Sequence, residues 1–221
     1  MKKILFLMMI ATAFSSCRSK QSNSSDSQTV NNGENGKLEA ITVKYATGFT
    51  VRDSAGIRLV DVGKSDRFAL VTSQEADVPS GYVKVKVPIS RTICMTMLQL
   101  SNFTVLDAHD VIKGITGTKN LFNSDILNRV RDGRIVKIGM EGEFDPELIL
   151  AANPDVIFIS PFKRGGYDAI RESGVTLVPH LGYKELDPLG QAEWVKFVGM
   201  FIGKEREAND VFSGIEQRYN A

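Results

Sequence analysis

The chain has 221 residues and nearly balanced charge, 27 Lys+Arg against 26 Asp+Glu, with 43% hydrophobic and 24% charged residues. Setting aside an N-terminal segment that reads as removable and a polar stretch behind it leaves about 185 residues, enough for one folded domain and too few for two of ordinary size. Near neutrality excludes the basic footprint of a nucleic-acid binder, and beyond the N-terminus no apolar run reaches the roughly eighteen residues of a membrane span.

Met1-Lys2-Lys3 precedes an apolar run from Ile4 to Phe14, broken only by Thr12, and then Ser15-Ser16-Cys17. A charged start, a short apolar run and small residues make a secretory signal over 1–16. Small residues directly before a lone Cys are similar to a lipobox, which makes Cys17 the expected lipidation site. In the alternative, a plain secretory signal cleaved elsewhere, Cys17 is an ordinary thiol. Loss of Lys2 and Lys3 leaves 25 basic against 26 acidic residues. Residues 18–36 are rich in Ser, Asn and Gln with Val30 their only apolar residue, so 17–37 reads as a flexible tether reaching a few tens of Å. The other cysteine, Cys94, falls in a stretch that reads as helix, and a bridge between the two is not expected.

From 38 to 84 short alternating pieces, at 41–45, 57–62, 67–72 and 82–87, are separated by turn chemistry at 53–56 and 79–81, which predicts a β-hairpin extension. After Pro88 the pattern becomes strand, turn, helix. Strands are expected near 111–115, 135–138, 155–160 and 175–178, with helices near 91–101, 124–131, 145–152 and 166–173. This is βαβ grammar, hence an α/β, Rossmann-like lobe over 38–187 built on a mainly parallel sheet. Ser90, Ser124, Asp145 and Asp187 are the expected N-caps, the last two followed by Pro. From Pro188 to Asn220 a 4-3-4-3 apolar rhythm predicts one long C-terminal helix of about 33 residues, nearly 50 Å in length. Such a helix could link to a further lobe, dimerise as a coiled coil, or lie back across the same sheet.

No catalytic set assembles. The sequence holds no GxSxG elbow, P-loop or GxGxxG after a strand, and its two histidines, His109 and His180, lie far apart and outside metal-ligand spacing. Neither enzyme activity, a cofactor nor a metal site is therefore expected. Ligands of an open parallel sheet bind beyond the carboxyl ends of its strands. The loops expected there carry Ser90, Arg91 and Thr92, then Thr118 and Lys119, Glu141, Phe162, Lys163 and Arg164, and Tyr183. Cations beside aromatic rings suit a bulky, partly anionic, partly flat ligand. Each cation could equally be a solvated loop charge, and Phe162 a core residue.

Four stretches carry a family resemblance: VKVPISRTICMTMLQL at 85–100, DVIKGI at 110–115, Ile138-Gly139 with the run from Phe144 to Ile157, and Pro188 to Ala208. Together they resemble the class III substrate-binding lipoproteins of ABC importers for iron chelates and vitamin B12, whose two lobes are joined by one long helix. The segment Tyr45 to Phe49 with its hairpins resembles an extension common in the Bacteroidetes branch. The resemblance implies a periplasm-facing lipoprotein of a Gram-negative, Bacteroidetes-like cell, anchored to the membrane by lipid. Its partners would be a siderophore, haem or corrinoid and the ABC permease subunits, with no nucleic acid. It also implies that Glu147 docks the permease, although a carboxylate in the first turn of a helix has a local role as well. A second lobe should follow the helix, and the sequence ends at Ala221, so half the cleft and much reduced affinity are expected. Another reading is a self-standing surface lipoprotein that scavenges chelates or scaffolds through a helix-mediated dimer.

Overall fold

The computed structural model describes residues 38–140, 143–161 and 167–221. A four-stranded sheet comes first. Strands β1 (Phe49–Ser54), β2 (Ile57–Val62) and β3 (Asp66–Val71) run antiparallel, and β4 (Val83–Lys86) joins parallel to β3. The second sheet has five parallel strands in the order β11 (Thr176–Pro179), β10 (Val156–Ile159), β5 (Thr92–Cys94), β6 (Ile112–Ile115) and β7 (Val136–Lys137). A small hairpin, β8 (Gly139–Met140) with β9 (Glu143–Phe144), follows β7.

Among the described residues, six α-helices cover these strands: α1 (Met97–Val105), α2 (Ser124–Arg131), α3 (Pro146–Ala152), α4 (Tyr167–Glu172), α5 (Pro188–Ile202) and α6 (Glu205–Tyr219). Leu100 and Phe103 of α1, Ile126 of α2 and the apolar residues of α5 share one core with Phe158 of β10, while Ile149 of α3 and Ile170 of α4 meet Ile157 and Ile159 on the other face. Helices on both faces of a parallel sheet make the fold α/β, as the strand-helix alternation predicts. The four-stranded sheet contributes Val60, Phe68, Leu70 and Val85 to the first core. Helix α5 therefore lies between the two sheets. Phe158 and Phe68 both meet Phe201, with centroids 5.4 and 6.3 Å away, and Phe49 meets Trp194 at 4.8 Å. Twelve of the fifteen α5 residues are buried, which is why its sequence lacks a polar face.

Three sequence expectations are corrected here. Residues 41–45 form no strand, and the first strand instead covers 49–54, including two residues expected in a turn. Residues 91–101 are not one helix. Thr92–Cys94 is the central strand β5, so Cys94 is a buried strand residue, and the helix begins only at Met97 behind an N-cap at Thr96. The single helix at 188–220 is two. Gly203 ends α5 in the left-handed conformation (φ 68°), its successor's N–H bonds Gly199 O, and α6 returns along α5. Ala208 and Phe212 of α6 are buried, and Lys196 of α5 sits over the Phe212 ring at 4.1 Å. The apolar rhythm assigned to a linker or a dimer seam is thus used inside this lobe.

Two charges are nevertheless enclosed in α5. The Glu193 carboxylate is fully buried and accepts hydrogen bonds from the backbone N–H groups of Lys44, Tyr45 and Ala46, at 2.7–3.0 Å, and from Lys196 Nζ at 2.8 Å. Lys196 also donates to Thr42 O. Ahead of α5, Glu185 receives Thr47 N–H, Gly48 N–H and Trp194 Nε1–H. Burial pushes Glu185 upward, yet these donors together hold it below the usual carboxylate range. The segment before β1 is thereby strapped to α5 by its backbone. Removing one partner of a buried, hydrogen-bonded pair costs about 3–5 kcal/mol. Glu193→Ala should lower urea-unfolding stability by that amount, and adding Lys196→Met should restore part of it; a loss below about 1 kcal/mol would show that the strap is not held by Glu193.

His180, just after β11, is fully buried with its Nε2 3.0 Å from Asn102 Nδ2 and its ring 4.5 Å from the Trp194 ring. Its Nδ1 finds no hydrogen-bond partner among the described residues. Burial pushes its pKa down to about 3, so between that value and the unfolded value of about 6.5 only the unfolded chain binds the proton. Stability is complete above about pH 6.5 and declines as pH falls toward 3. From pH 7 to pH 5 the wild type should lose about 2 kcal/mol more than His180→Gln in urea titrations; parallel losses in the two proteins would contradict this.

Candidate functional site

The chain leaves the middle of the parallel sheet at β5, runs outward through β6 and β7, then returns to the other side of β5 for β10 and β11. That reversal places a crevice at the carboxyl ends of β5, β6 and β10, where loops diverge. A cleft of about 420 Å³ lies there. Met95, Thr96 and Met97 line it after β5, Thr116, Gly117 and Lys119 after β6, Met140 and Phe144 from the small hairpin, and Tyr167 at the start of α4.

Short-range chemistry shapes each wall. Thr96 caps α1 in a capping box: its Oγ1 accepts from Gln99 N–H, and Gln99 Oε1 accepts from Thr96 N–H. The same Gln99, fully buried, receives Met95 N–H at 2.7 Å and donates Nε2 to Ser160 Oγ at 3.0 Å, so one amide joins the loop after β5 to the end of β10. Thr116 Oγ1 donates to Met95 O, linking the β5 and β6 loops. Phe144 and Tyr167 are stacked, centroids 5.9 Å apart, and Tyr167 Oη donates to Ser160 O. Cys94, the last residue of β5, is fully buried, and burial pushes its thiol up. The hairpin that presents Met140 requires Gly139: its φ is +94°, and a Cβ there would lie 2.3 Å from Glu143 O.

Of the residues expected at this rim, Lys119 lines the cleft, and Thr118 is half-buried in the same loop. Ser90, Arg91 and Thr92 do not reach it. They lie at the amino end of β5, the opposite edge of the sheet, because β5 begins where a helix was expected. The Ser90 and Arg91 N–H groups donate to the Asp155 carboxylate ahead of β10, the Arg91 guanidinium bonds Asp155 and Asn153 O, and Thr92 is buried against Val156 O. These groups tie the loop ahead of β5 to the start of β10 at the sheet's amino end. Tyr183, beyond the end of the edge strand β11, lies in a 3-10 turn (Gly182–Lys184), packs against the core and is absent from the cleft lining. Glu141, Phe162, Lys163, Arg164 and Cys17 lie outside the described residues. Glu147 is exposed in the first turn of α3, behind the Asp145 N-cap.

The three methionines, Phe144 and Tyr167 were missed as site residues. Met95-Thr96-Met97 reads as helix interior until β5 is recognised, although Thr96 with Gln99 three residues on is a capping-box signal in the sequence. Among the described residues, no group of three or more His, Cys, Asp or Glu side chains is gathered for a metal ion.

No protein-family model matches the sequence. The chain is similar to two proteins of Methanocaldococcus jannaschii named as uncharacterized lipoproteins. One is 28% identical over 98% of this chain and 61% of the relative, and the other 25% identical over 90% and 55%. This chain thus spans little more than half the length of these relatives. Among solved structures it is similar to a periplasmic haem-binding protein from Pseudomonas aeruginosa (16% identity, 59% of this chain and 44% of that one, TM-score 0.47). Similar too are a petrobactin-binding protein from Bacillus subtilis (18%, 60% and 45%, 0.48) and a periplasmic vitamin B12 binding protein of Vibrio cholerae (14%, 60% and 49%, 0.46).

Proposed function

We propose that this chain is the substrate-binding lobe of an ABC importer lipoprotein, capturing an iron chelate such as a siderophore or haem, or a corrinoid, and passing it to a membrane permease. The observation that carries the reading is the cleft at the reversal point of the parallel sheet, walled by Met95, Met97, Met140, Phe144 and Tyr167 with Lys119 at its edge. The sequence resemblance supports the transport role. Envelope anchoring through Cys17, with 1–16 as the signal and 17–37 as the tether, is supported by the apolar run ahead of Ser15-Ser16-Cys17 and by similar chains that are named lipoproteins. Lys119 and Thr118 are the sequence-expected ligand residues that this reading keeps. Glu147 is the proposed permease contact, exposed on α3 and separate from the cleft lining.

Absorbance titration with ferric siderophores, haemin and cyanocobalamin should give saturable binding of at least one; failure of all at millimolar concentration would overturn the reading. Glu147→Ala should leave that binding unchanged while cutting uptake in cells by about tenfold, the equivalent of one lost charged contact. Equal uptake by variant and wild type would remove Glu147 from the docking surface.

A further inference from the structure

An edge strand with unpaired N–H and C=O groups is a template for another strand unless it is blunted. Most sheet edges among the described residues are. Strands β7, β8 and β9 have two residues each. At β11 the His180 N–H bonds Ile159 O, so the outward-facing backbone belongs to Leu177 and Pro179, and proline has no N–H to offer. At β4 the Val87 N–H bonds Val71 O, so the outward backbone belongs to Lys84 and Lys86, neither of which is paired with a carboxylate among the described residues. Strand β1 is different. It has six regular residues without proline, lysine or a bulge, and it pairs only with β2. Because Gly63 N–H bonds Gly48 O, the alternation of an antiparallel ladder turns the backbone of Thr50, Arg52 and Ser54 toward β2 and that of Phe49, Val51 and Asp53 outward. No hydrogen bond among the described residues engages those outward groups. The strand's two charges do not guard it either. Arg52 donates to Tyr82 Oη at 2.6 Å and to Asp61 at 3.3 Å, and Asp53 accepts from Arg58 at 2.9 Å.

We propose that the outer edge of β1 is an interaction surface whose occupant is β1 of a second copy of this chain, paired antiparallel about a two-fold axis. The strand complements itself. Outward-facing residues must meet outward-facing residues, and with Val51 opposite the partner's Val51 the backbones of Phe49, Val51 and Asp53 are hydrogen-bonded on both chains, while Thr50 stands opposite the partner's Arg52. Slipping the partner by two residues one way sets Arg52 against the partner's Arg52, and the other way leaves Asp53 beyond the paired stretch. Pairing joins the two four-stranded sheets into one whose outer edges are the lysine-bearing β4 strands, so assembly stops at the dimer. The cleft lining contains no residue of this sheet, so the inference stands apart from the reading of the cleft.

The test uses the full 221-residue chain carrying Cys17→Ser, in which the remaining thiol, Cys94, is buried. Sedimentation should show a monomer and dimer in equilibrium with a Kd of about 100 µM, the weak class to which so small an interface belongs. Thr50 is exposed, so it can be changed without touching the core. Thr50→Arg sets like charges opposite each other and should weaken the dimer at least about tenfold, whereas Thr50→Glu should tighten it about threefold. Within one chain Thr50 faces Asp61 of β2, so the two substitutions act on monomer stability in the opposite sense, and a folding defect cannot produce this order. Thr50→Cys and Arg52→Cys chains, mixed under mild oxidation, should cross-link with each other and neither with itself, because only the mixed pair stands directly opposite. A monomer at about 1 mM would overturn the inference. So would association that Thr50→Arg leaves unchanged, which would belong to another surface, or cross-linking without regard to position. Protection of the Val51 N–H from hydrogen exchange at micromolar concentration would also overturn it, since the edge would then be covered by the chain's own residues.

Discussion

The Glu193 carboxylate sits at the centre of this lobe, and the arrangement around it depends on how that charge is satisfied. An ionised group in a helix enclosed by two sheets is tolerable only if every lone pair finds a donor. Three consecutive backbone N–H groups and one ammonium supply them. Because the donors at 44–46 belong to the backbone, the requirement fixes the path of the segment ahead of β1 and, through it, where the four-stranded sheet begins. It also fixes the rotation of α5 about its axis. That rotation decides which residues meet Phe158 and which meet Phe49.

A second buried polar group, the Gln99 amide, plays the corresponding part at the cleft. The reversal of strand order between β5 and β10 opens a gap between two loops, and an open gap would leave Met95 and Thr96 N–H groups without acceptors. Gln99 fills that need from α1 and reaches across to Ser160. The cleft is therefore a gap whose edges are pinned, with its polar groups turned inward and its apolar side chains left to face whatever enters.

The parts legible in the sequence were those set by a single local signal. Asp145-Pro146 and Asp187-Pro188 mark helix starts that the structure keeps, and the alternation in 57–62 and the apolar run at 155–160 became strands. Errors arose where two local signals competed. Thr92 to Leu100 is apolar enough to be either a buried parallel strand or a helix, and Ser90 offers a cap that α1 does not use; periodicity cannot separate these within a few residues. Misplacing β5 moved Ser90 and Arg91 to the wrong end of the sheet and hid the methionines. At the C-terminus, a heptad-like rhythm continues through Gly203 because both α5 and α6 turn apolar residues toward the same core, so the pattern alone does not register the reversal.

The hairpin carrying Met140 divides into a residue that cannot change and one that can. Position 139 admits no Cβ because the Glu143 carbonyl already occupies that space, whereas the Met140 side chain is largely exposed. A substitution at 140 therefore changes what the loop presents at the cleft while the backbone that presents it stays the same. The lining of the cleft can vary at 140 by single substitutions that leave stability almost untouched, a route closed to Gln99, whose buried amide holds the loop after β5 to the end of β10.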